Sequence, residues 1–482
     1  MLIINNMKKK FYITTPIYYV NDKPHIGHAY TTIAADVLAR YHKKLGEDVF
    51  FLTGTDEHGD KIAESAKRAR KSPQEFTDGV VKDFKKAWVK LDIKYDDFIR
   101  TTEKRHEKGV IKFLNKLKQS NNIYQDNYKA MYCDDCEDFI FKKDLIDGKC
   151  QYHQKEPKLI SEKNYFFKLI DFLPQVKELI EKNEIVIEPK DRRKEVLSLL
   201  KQDLGNLSIS RQKVKWGIDL PFDEKQKIYV WVEALQNYIT AIGYGDDEKK
   251  FNKYWPADVH LIAKDIVKFH CIFWPAILLA VGLKLPKKVF VHGFFTVNGQ
   301  KMSKTLGNAI DPIFLVDKYG ADTVRYFLLR EISFGNDGDF SIKRLEERYN
   351  SDLANGLGNL VSRVLTLSEK AEAKASQSNK EFNLKIKLVQ KGYNKAMKEI
   401  KLNEALESVW KLISFCDEYI EKNKPWKLIK DNQDKAKEIL GELLTAIKEI
   451  ADLLSPFMPE TSEKIIKQIK ENKKTENLFP RL

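Results

Sequence analysis

The first half of the chain alternates short β-rich runs with helical periodicity, and this alternation constrains the fold more than any other feature. Phe11–Thr14 and Val49–Leu52 have the β-branched and aromatic composition of strands. Between them, apolar side chains recur at the spacing of one helix face: Ile33, Ala34, Val37, Leu38 and Tyr41. Strand, helix and strand in this order predict a parallel sheet with right-handed crossovers.

The same α/β pattern stops near residue 123 and resumes after about residue 210. The interval carries a cysteine cluster and several turn-rich aromatic stretches, so we expect an inserted domain. Strand candidates then return at Ile228–Trp231, Val259–Ile262 and Val289–Val291. A chain of 482 residues is also longer than one compact core usually holds, which favours several domains.

From about Ser341 onward the pattern is helical almost throughout. Ser341 is a candidate N-cap, and Lys374–Asn383 is polar enough to be a loop. One face of a long helix is predicted by the spacing of Leu345, Tyr349, Leu353, Leu357, Leu360 and Val364. We therefore predict an α/β fold in two halves with an insertion and a C-terminal helical bundle. The expected boundaries are 1–122 and 213–295 for the two halves, 123–212 for the insertion, 296–340 for a connecting region and 341–482 for the bundle.

The net charge of +14 permits a polyanionic partner such as nucleic acid, but a Lys-rich solubilising surface explains it equally well. The five cysteines do not form a disulfide framework, and a reduced cytoplasm fits them better. No apolar run is long enough to cross a bilayer. The opening residues are too short an apolar stretch for a secretory signal, and either Met1 or Met7 is a candidate start.

Two histidines three residues apart, His25 and His28, stand at the start of the helix that follows the first strand. A helix start offers N–H groups and positive potential, which attract phosphate. Gly27 lies between the histidines and leaves room for a flat base against the backbone. Two surface histidines on an amphipathic helix would give the same four residues, so this segment alone does not decide the function.

A second segment, Lys301–Thr305, lies between Gly299 and Gly307 and contains two lysines three residues apart. Such lysines can meet the negative charge that builds up when an α-phosphate is attacked and pyrophosphate departs. A solvated lysine loop is the plain alternative. The chain lacks the G-x-x-x-x-G-K-[ST] phosphate loop, so nucleotide binding here would use a different arrangement.

Together, His25–His28 and Lys301–Thr305 resemble the HIGH and KMSKS signatures of class I aminoacyl-tRNA synthetases, with Thr305 in the last place. The resemblance implies a Rossmann-like catalytic domain, a KMSKS-containing stem-contact region at 296–340, and Mg-ATP as a substrate. It implies transition-state roles for His25, His28, Lys301 and Lys304. The ATP-binding residues implied are His25, Gly27, His28, Asp265, Gly293, Lys301, Ser303 and Lys304.

Four further segments resemble the methionine-specific branch of these enzymes: Thr14–Asn21, Thr53–Gly59, Tyr229–Leu235 and Lys264–Pro275. Methionine is long and soft, and its sulfur favours aromatic edges. The implied methionine-binding residues are Ile17, Tyr19, Asp56, Trp231, Ala234, Tyr238, Ile266, His270 and Trp274, with Asp56 as the partner of the substrate ammonium. The implied site joins the methionine carboxylate to the ATP α-phosphate. Glu233 and Ala263 depart from the Asp and Gly usual in this branch.

The cysteine cluster pairs Cys133-x2-Cys136 with Cys150-x2-His153, thirteen residues further on. Two knuckles with soft ligands predict a closed tetrahedral zinc site, which would be structural because no coordination position stays open. Four surface residues without a metal are the alternative, but the acidic surroundings of Cys133 and Cys136 offer no apolar run to pack in. The bacterial type of the branch with one knuckle carries zinc in this inserted domain.

By the same resemblance, the helical bundle reads the anticodon of tRNA(Met), with Trp426 as a stacking platform and Asn359 and Arg363 reading base edges. A buried tryptophan and a solvated arginine are the alternative. Some members of the branch add a further tRNA-binding domain linked to dimerisation. The chain ends at Leu482 without it, so a monomer and no membrane association are expected.

Three other functions compete with this interpretation. Another class I synthetase, for example for cysteine, valine, isoleucine or leucine, is the nearest, although about ninety inserted residues leave little room for an editing domain. A tRNA-binding paralogue without activity is a second, and the intact motif residues argue against it. A nucleotidyltransferase acting on a small cofactor is a third, but it would have no use for a base-reading bundle.

Overall fold

The structure is a computed structural model that describes residues 8–134, 138–140, 145–151, 154–297, 299–302, 308–376 and 379–482. Within them the strands are, in chain order, β1 (Lys10–Tyr19), β2 (Asp48–Asp56), β3 (Asp97–Arg100), β4 (Ile123–Cys133), β5 (Asp138–Ile140), β6 (Leu145–Ile146), β7 (Lys149–Cys150), β8 (Lys158–Phe167), β9 (Val186–Glu188), β10 (Leu207–Ser208), β11 (Ser210–Arg211), β12 (Asp219–Leu220), β13 (Asp223–Ile228), β14 (Val259–Ala263), β15 (Lys288–His292), β16 (Phe295–Val297), β17 (Gln300–Lys301) and β18 (Gly338–Phe340).

The α-helices are, in the same order, α1 (Ile26–Lys44), α2 (Asp60–Arg68), α3 (Pro73–Lys90), α4 (Lys104–Gln119), α5 (Leu173–Glu181), α6 (Lys190–Leu199), α7 (Val230–Ala234), α8 (Asn237–Thr240), α9 (Glu248–Tyr254), α10 (Trp274–Ala280), α11 (Pro312–Tyr319), α12 (Ala321–Arg330), α13 (Ile342–Arg348), α14 (Asn359–Ala371), α15 (Lys380–Lys398), α16 (Leu402–Asn423), α17 (Pro425–Asp431), α18 (Gln433–Leu454) and α19 (Pro459–Glu471). Two compact units divide the described chain. The first takes the segments up to Pro24, from Gly46 to Ala87 and from Lys94 to His292, and the second takes the rest.

A six-stranded parallel sheet in the order β3-β2-β1-β14-β15-β9 forms the frame of the first unit. The chain leaves β1 toward β2 on one side and reaches β14 on the other, so the strand order reverses between β1 and β14. Carboxyl ends of parallel strands at such a reversal are where open α/β sheets bind their ligands. The predicted α/β fold is confirmed. We call the reversal between β1 and β14 the switch point, and we expect a site at the carboxyl ends of the strands beside it.

The inserted segment forms a separate antiparallel sheet in the order β10-β8-β4-β5. Its long β4–β8 ladder runs from the pair Ile123–Phe167 to the pair Tyr132–Lys158. Strand β9 lies in the sequence range predicted as the insertion, yet it pairs in parallel with β15 and forms an edge of the main sheet. The main core also takes apolar side chains from this range, among them Val176, Ile180 and Ile187.

Two local predictions were wrong. Ile228–Trp231 is not a strand, because β13 ends at Ile228 and the buried helix α7 begins at Val230. A short apolar run has no periodicity that separates a strand from a buried helix. The predicted loop at Lys374–Asn383 ends earlier than expected: Asn379 accepts the N–H of Phe382 as an N-cap and α15 begins at Lys380.

The helical part of the second unit begins as the apolar spacing predicted. Ser341 caps α13 by accepting the N–H of Arg344, and the helix continues through a wide π-helical stretch, Tyr349–Gly358, into α14. Every apolar residue of the predicted face is buried.

A buried arginine holds several segments of the second unit together. Arg325 on α12 pairs with Asp36 on α1 at 2.7 Å and also donates to the carbonyls of Pro456 and Phe457. None of the described helices has both the length and the apolar character that a bilayer span requires.

Candidate active site

The start of α1 presents two imidazoles in one fixed arrangement. His25 is the N-cap residue: its Nδ1 accepts the N–H of Gly27 at 3.0 Å, and its own N–H donates to Nδ1 of His28 at 3.2 Å. The two rings stack with their centroids 3.9 Å apart. A ring nitrogen that accepts a hydrogen bond carries no proton, so each neutral imidazole has its proton on Nε2. The helix start therefore offers two Nε2–H donors together with the positive end of its dipole.

Gly27 is required by close packing at this point. A Cβ on Gly27 would lie 2.8 Å from Cε1 of His25 and 3.5 Å from Cε of Met302. Ile26 donates its N–H to the carbonyl of Ile310 at 3.0 Å. Met302, inside the predicted lysine segment, and Ile310, beyond it, thus both lie close to the start of α1, within the second unit. The backbone of Lys301 belongs to β17, but its side chain, and the whole of Ser303 and Lys304, lie outside the described residues.

Gly293 also has no room for a side chain. A Cβ there would lie 2.3 Å from the backbone carbonyl of Asn336. This close approach gives Gly293 a packing role in the second unit.

In the first unit, the carboxyl ends of β1 and β2 place three of the predicted residues side by side. Tyr19 is in register with Asp56, and Ile17 with Gly54. A Cβ on Gly54 would lie 3.0 Å from Ile17 and 2.1 Å from the carbonyl of Ile99, so glycine is needed for these strands to approach. Lys61 lies over the Tyr19 ring at 5.8 Å. Asp56 and Tyr19 therefore stand at the edge of the sheet next to the switch point.

A chain of hydrogen bonds joins three of the predicted residues. His270 Nδ1 lies 2.9 Å from the carbonyl of Ile266, and its Nε2 lies 2.7 Å from the hydroxyl of Tyr238. Since a carbonyl only accepts, Nδ1 carries the proton and the Tyr238 hydroxyl donates to Nε2. Burial lowers the pKa of His270 to about 4, partly opposed by the hydrogen bond to Ile266. Burial also raises the pKa of Tyr238, so both groups are neutral at pH 7.

Aromatic side chains surround these hydrogen-bonded residues. Trp274 is fully buried with its ring centroid 6.2 Å from that of Tyr238, and Trp231 stacks on Phe269 at 3.8 Å with the planes 8° apart. Trp231, Ile17 and Ile266 are partly buried and pack on the apolar core that contains Tyr238 and Trp274. Ala234 is buried on α7, whereas Asp265 is exposed in the turn after β14.

Glu233 has a buried carboxylate between two histidines of other elements. Its Oε1 lies 2.7 Å from Nδ1 of His58, and its Oε2 lies 3.3 Å from Nε2 of His106. Burial disfavours charge on both His58 and Glu233, but their mutual attraction outweighs it. The pKa of His58 is therefore raised and that of Glu233 lowered. This geometry gives an ion pair beside the predicted methionine residues Trp231 and Ala234.

Two of the four predicted zinc ligands lie in the described part of the chain. Cys133 ends β4 and Cys150 ends β7, and both thiols are buried. The carbonyl of Cys150 accepts the N–H of Gln154. Cys136 and His153 lie outside the described residues, and the described ones alone contain no cluster of three or more His, Cys, Asp or Glu side chains suited to a metal.

In the helical bundle, the structure brings two of the three predicted base-reading residues together. The Arg363 guanidinium lies over the Trp426 ring at 5.8 Å and pairs with Glu421 at 2.7 Å. Trp426 is 36% exposed, so the alternative of a buried tryptophan is wrong. Asn359 is exposed as the first residue of α14, one turn before Arg363.

Comparison with known proteins agrees with these observations. The family model of class I tRNA synthetases (M) matches residues 11–143 and 140–365, and that of the anticodon-binding domain of tRNA ligases matches residues 379–480. The methionine–tRNA ligase of Caldanaerobacter subterraneus subsp. tengcongensis is 47% identical over 96% of this chain and 74% of its own length. That of Thermotoga maritima is 47% identical over 95% of this chain and 75% of its own length.

The structure of Mycobacterium tuberculosis methionyl-tRNA synthetase in complex with methionyl-adenylate has 34% identity and a TM-score of 0.92, covering 98% of this chain and 100% of that one. The chain belongs to the methionine–tRNA ligase family. It is accordingly an aminoacyl-tRNA synthetase.

For this member of the methionine–tRNA ligase family, sequence reasoning missed three contributors to the site. His58 and Phe269 lie inside quoted motifs but were not singled out, and His106 was not considered. The departure at Glu233 was the one sequence signal that could have led to His58 and His106. Glu233 is 175 residues from His58 and 127 residues from His106 along the chain, so no local pattern connects these three residues.

Proposed function

We propose that this chain activates L-methionine with ATP and transfers the methionyl group to the 3′ end of tRNA(Met). The observation that carries the proposal is the neutral Ile266–His270–Tyr238 hydrogen-bond chain within an aromatic cluster at the switch point of the sheet. A substrate amino acid with a charged side chain would find no opposite charge on these residues, because burial keeps both Tyr238 and His270 neutral.

Methionine fits this environment better than its competitors. Its thioether is polarizable and favours aromatic edges such as those of Trp231 and Trp274. Tyr238 uses its hydroxyl proton on His270, so toward the substrate the hydroxyl presents lone pairs and the edge of a fixed ring. Ile17, Ala234 and Ile266 supply apolar walls, and the carboxylate of Asp56 receives the substrate ammonium. Tyr19, in register with Asp56, lies beside that ammonium.

The second unit supplies most of the groups proposed for ATP. The Nε2–H donors of His25 and His28 are oriented by the backbone before substrate arrives, so they bind phosphate oxygens without reorganising. The methionine carboxylate attacks the α-phosphorus, the bond to the β-phosphate breaks, and pyrophosphate leaves with Mg²⁺. Lys301 and Lys304 offset the charge on pyrophosphate. We assign Gly27, Gly293, Asp265 and Ser303 to ATP contacts as well.

In the second step, a hydroxyl of the terminal ribose attacks the adenylate carbonyl and AMP leaves. We assign anticodon binding to Trp426, Arg363 and Asn359. The exposed Trp426 ring offers a stacking surface and the Arg363 guanidinium lies against it, which is the combination that binds single-stranded bases. The net charge of +14 favours association with the polyanionic tRNA.

We further propose one structural zinc held by Cys133, Cys136, Cys150 and His153. Two buried thiols at the ends of β4 and β7 suit a closed site, and zinc bound there would stabilise the inserted segment. We also propose a cytoplasmic monomer with the domain boundaries predicted from the sequence, except that β9, within the predicted insertion 123–212, belongs to the main sheet. The buried thiols of Cys271 and Cys416 suit a reducing compartment.

Amino-acid-dependent ATP–pyrophosphate exchange across all twenty amino acids tests the proposal. We expect exchange with methionine only, followed by transfer of methionine to tRNA(Met). Exchange with cysteine, valine, isoleucine or leucine would overturn the assignment, and exchange with none would favour a tRNA-binding paralogue. The Asp56→Asn variant serves as an internal check, because loss of the ammonium partner should raise KM for methionine and leave KM for ATP unchanged.

A further inference from the structure

Glu233 is the buried group that connects the most segments around the proposed methionine pocket. It lies on α7, between Trp231 and Ala234, and its side chain is 1% exposed. Each carboxylate oxygen faces a different imidazole, at 2.7 Å for His58 and 3.3 Å for His106. A buried carboxylate is stable only when its charge is matched and its oxygens are hydrogen-bonded, so these two histidines fix where α7 can lie.

On one side, the network reaches the segment after β2. His58 follows Asp56 by two residues, and its ring packs edge-on against Trp216 with the centroids 5.3 Å apart. Trp216 in turn donates its indole N–H to the carbonyl of Glu57 and accepts the N–H of Gly59 with its own carbonyl. The segment that carries Asp56 is therefore tied to α7 through His58.

On the other side, the network reaches α8, which carries Tyr238. His106 on α4 lies 2.8 Å from the hydroxyl of Thr240 through its Nδ1. Helices α4 and α8 are in close contact, because a Cβ on Gly109 would lie 2.4 Å from Cγ2 of Thr240. Glu233 thus stands between the two ends of the pocket, the ammonium partner Asp56 and the aromatic residues on α7 and α8.

We infer that Glu233 is a positioning residue that holds the aromatic wall of the pocket at a fixed distance from Asp56 and so sets the affinity for methionine. This inference rests on the proposed function. Methionine must satisfy both ends of the pocket at once, so the spacing of these ends selects its length. Glu233 touches neither substrate nor reacting atoms, and its effect passes through His58 and His106.

The acid must be charged to fulfil this role. Glu57 and Glu107 also raise the pKa of His58 through their charges, but the carboxylate hydrogen-bonded to the ring is that of Glu233, and Glu57 is matched separately by the guanidinium of Arg100 at 2.7 Å. The charge of His58 is therefore left for Glu233 to balance. A glutamine at this position keeps the shape but removes the charge, so it leaves the His58 imidazolium without its nearest counter-ion. An aspartate keeps the charge and shortens the arm by one carbon.

Steady-state exchange kinetics of Glu233→Gln and Glu233→Asp test the inference, with rates corrected for active sites by burst titration. For Glu233→Gln we expect KM for methionine to rise by about tenfold, because a lost charge-assisted hydrogen bond has an effect of this size. KM for ATP and kcat should stay within about threefold of the values for the unmodified enzyme. Glu233→Asp should recover most of the affinity. The matched control is Glu442→Gln, which makes the same change at a glutamate equally buried in the helical bundle, and it should leave KM for methionine unchanged.

A His58→Asn variant and its double variant with Glu233→Gln complete the test. If Glu233→Gln does not fold, the KM values of the His58→Asn variant alone replace it. If Glu233 and His58 act as one unit, KM for methionine in the double variant should be no higher than in the more affected single variant. Equal rises in the KM values for methionine and ATP, additive effects in the double variant, or an unchanged KM for methionine in Glu233→Gln would each overturn the inference. Methionine-dependent exchange by the unmodified enzyme tests the proposed function itself, independently of these variants.

Discussion

At the scale of single residues, the neighbours of two buried histidines of the first unit shift their pKa values in opposite directions. His270 faces a carbonyl and a tyrosine hydroxyl, neither of which stabilises a positive charge in the way a carboxylate does, and burial keeps it neutral. His58 is almost as buried, but it faces the carboxylate of Glu233, which raises its pKa against the effect of burial. The partner, more than the depth of burial, decides the charge of each ring.

These states predict opposite titrations. The pKa of His270 is lowered from 6.5 to about 4, so its contribution to stability is present above about pH 6.5 and is lost as the pH falls toward 4. The pKa of His58 is raised, so its pairing with Glu233 stabilises the fold fully below about pH 6.5 and is lost as the pH rises through its folded-state pKa.

NMR of ¹⁵N-labelled histidines should therefore show His270 neutral with its proton on Nδ1 down to about pH 5, and His58 with a pKa raised above the ordinary value of 6.5. Variants that replace each histidine assign the signals. A His270 that titrates near 6.5, or a His58 neutral at pH 6, would contradict the hydrogen-bond chain or the ion pair.

Removing the Tyr238 hydroxyl should weaken methionine binding. In Tyr238→Phe, the buried Nε2 of His270 loses its donor, which costs about 1–3 kcal/mol for an unsatisfied buried group. We expect KM for methionine in pyrophosphate exchange to rise by about tenfold and KM for ATP to change little. Tyr393→Phe is the control, since the equally buried Tyr393 hydroxyl has no hydrogen-bond partner among the described residues. Equal effects of the two substitutions would argue that Tyr238 only fills space.

At the scale of elements, local sequence patterns predicted one long helix and four strands of the main sheet correctly. Helix α1 buries the whole apolar face predicted for it, and β1, β2, β14 and β15 contain the predicted strand cores. They failed at α7, a five-residue helix read as a strand, because four consecutive apolar residues fit either structure. Helix α7 carries Trp231 and Glu233, so the error fell on an element that matters for the pocket.

Zinc should be needed to order the inserted segment around β4 and β7. Metal analysis of the purified protein is expected to give about one zinc per chain, lost in Cys133→Ala and kept in Cys416→Ala, which removes a buried thiol from the helical bundle. Chelation should raise hydrogen exchange in β4–β8 and reduce activity, since the metal contributes folding free energy there. Full activity in a metal-free preparation would refute a structural zinc.

At the scale of the whole molecule, the proposed function divides the work between activation of methionine and binding of the anticodon by the C-terminal helices. The division predicts that the two reaction steps can be separated by substitution. Since stacking on an aromatic side chain contributes about 1–3 kcal/mol per base, Trp426→Ala should lower tRNA charging by about tenfold or more while methionine-dependent exchange stays unchanged.

The control for this variant is Leu388→Ala, which removes an exposed apolar side chain elsewhere in the bundle and should affect neither step. A parallel loss of charging and exchange in Trp426→Ala would show that the substitution acts on the fold rather than on tRNA binding.

The sequence by itself determined the family, the order of the elements and most of the residues proposed for the site. These features are local. A capped helix start, a glycine-bounded lysine loop and paired cysteine knuckles can each be recognised from a few residues of sequence. Asn359 and Arg363 likewise share a helix face that spacing alone reveals.

Only the tertiary structure decided which side chains meet and with what charge. The Tyr238–His270 bond joins residues 32 apart, and the Glu233 pairs join residues 175 and 127 apart. Periodicity reports how a residue faces the core, but the partner it meets there depends on how distant elements pack. Because that partner sets the protonation state of a buried group, the charges of His58, Glu233 and His270 followed from the fold and not from the sequence pattern.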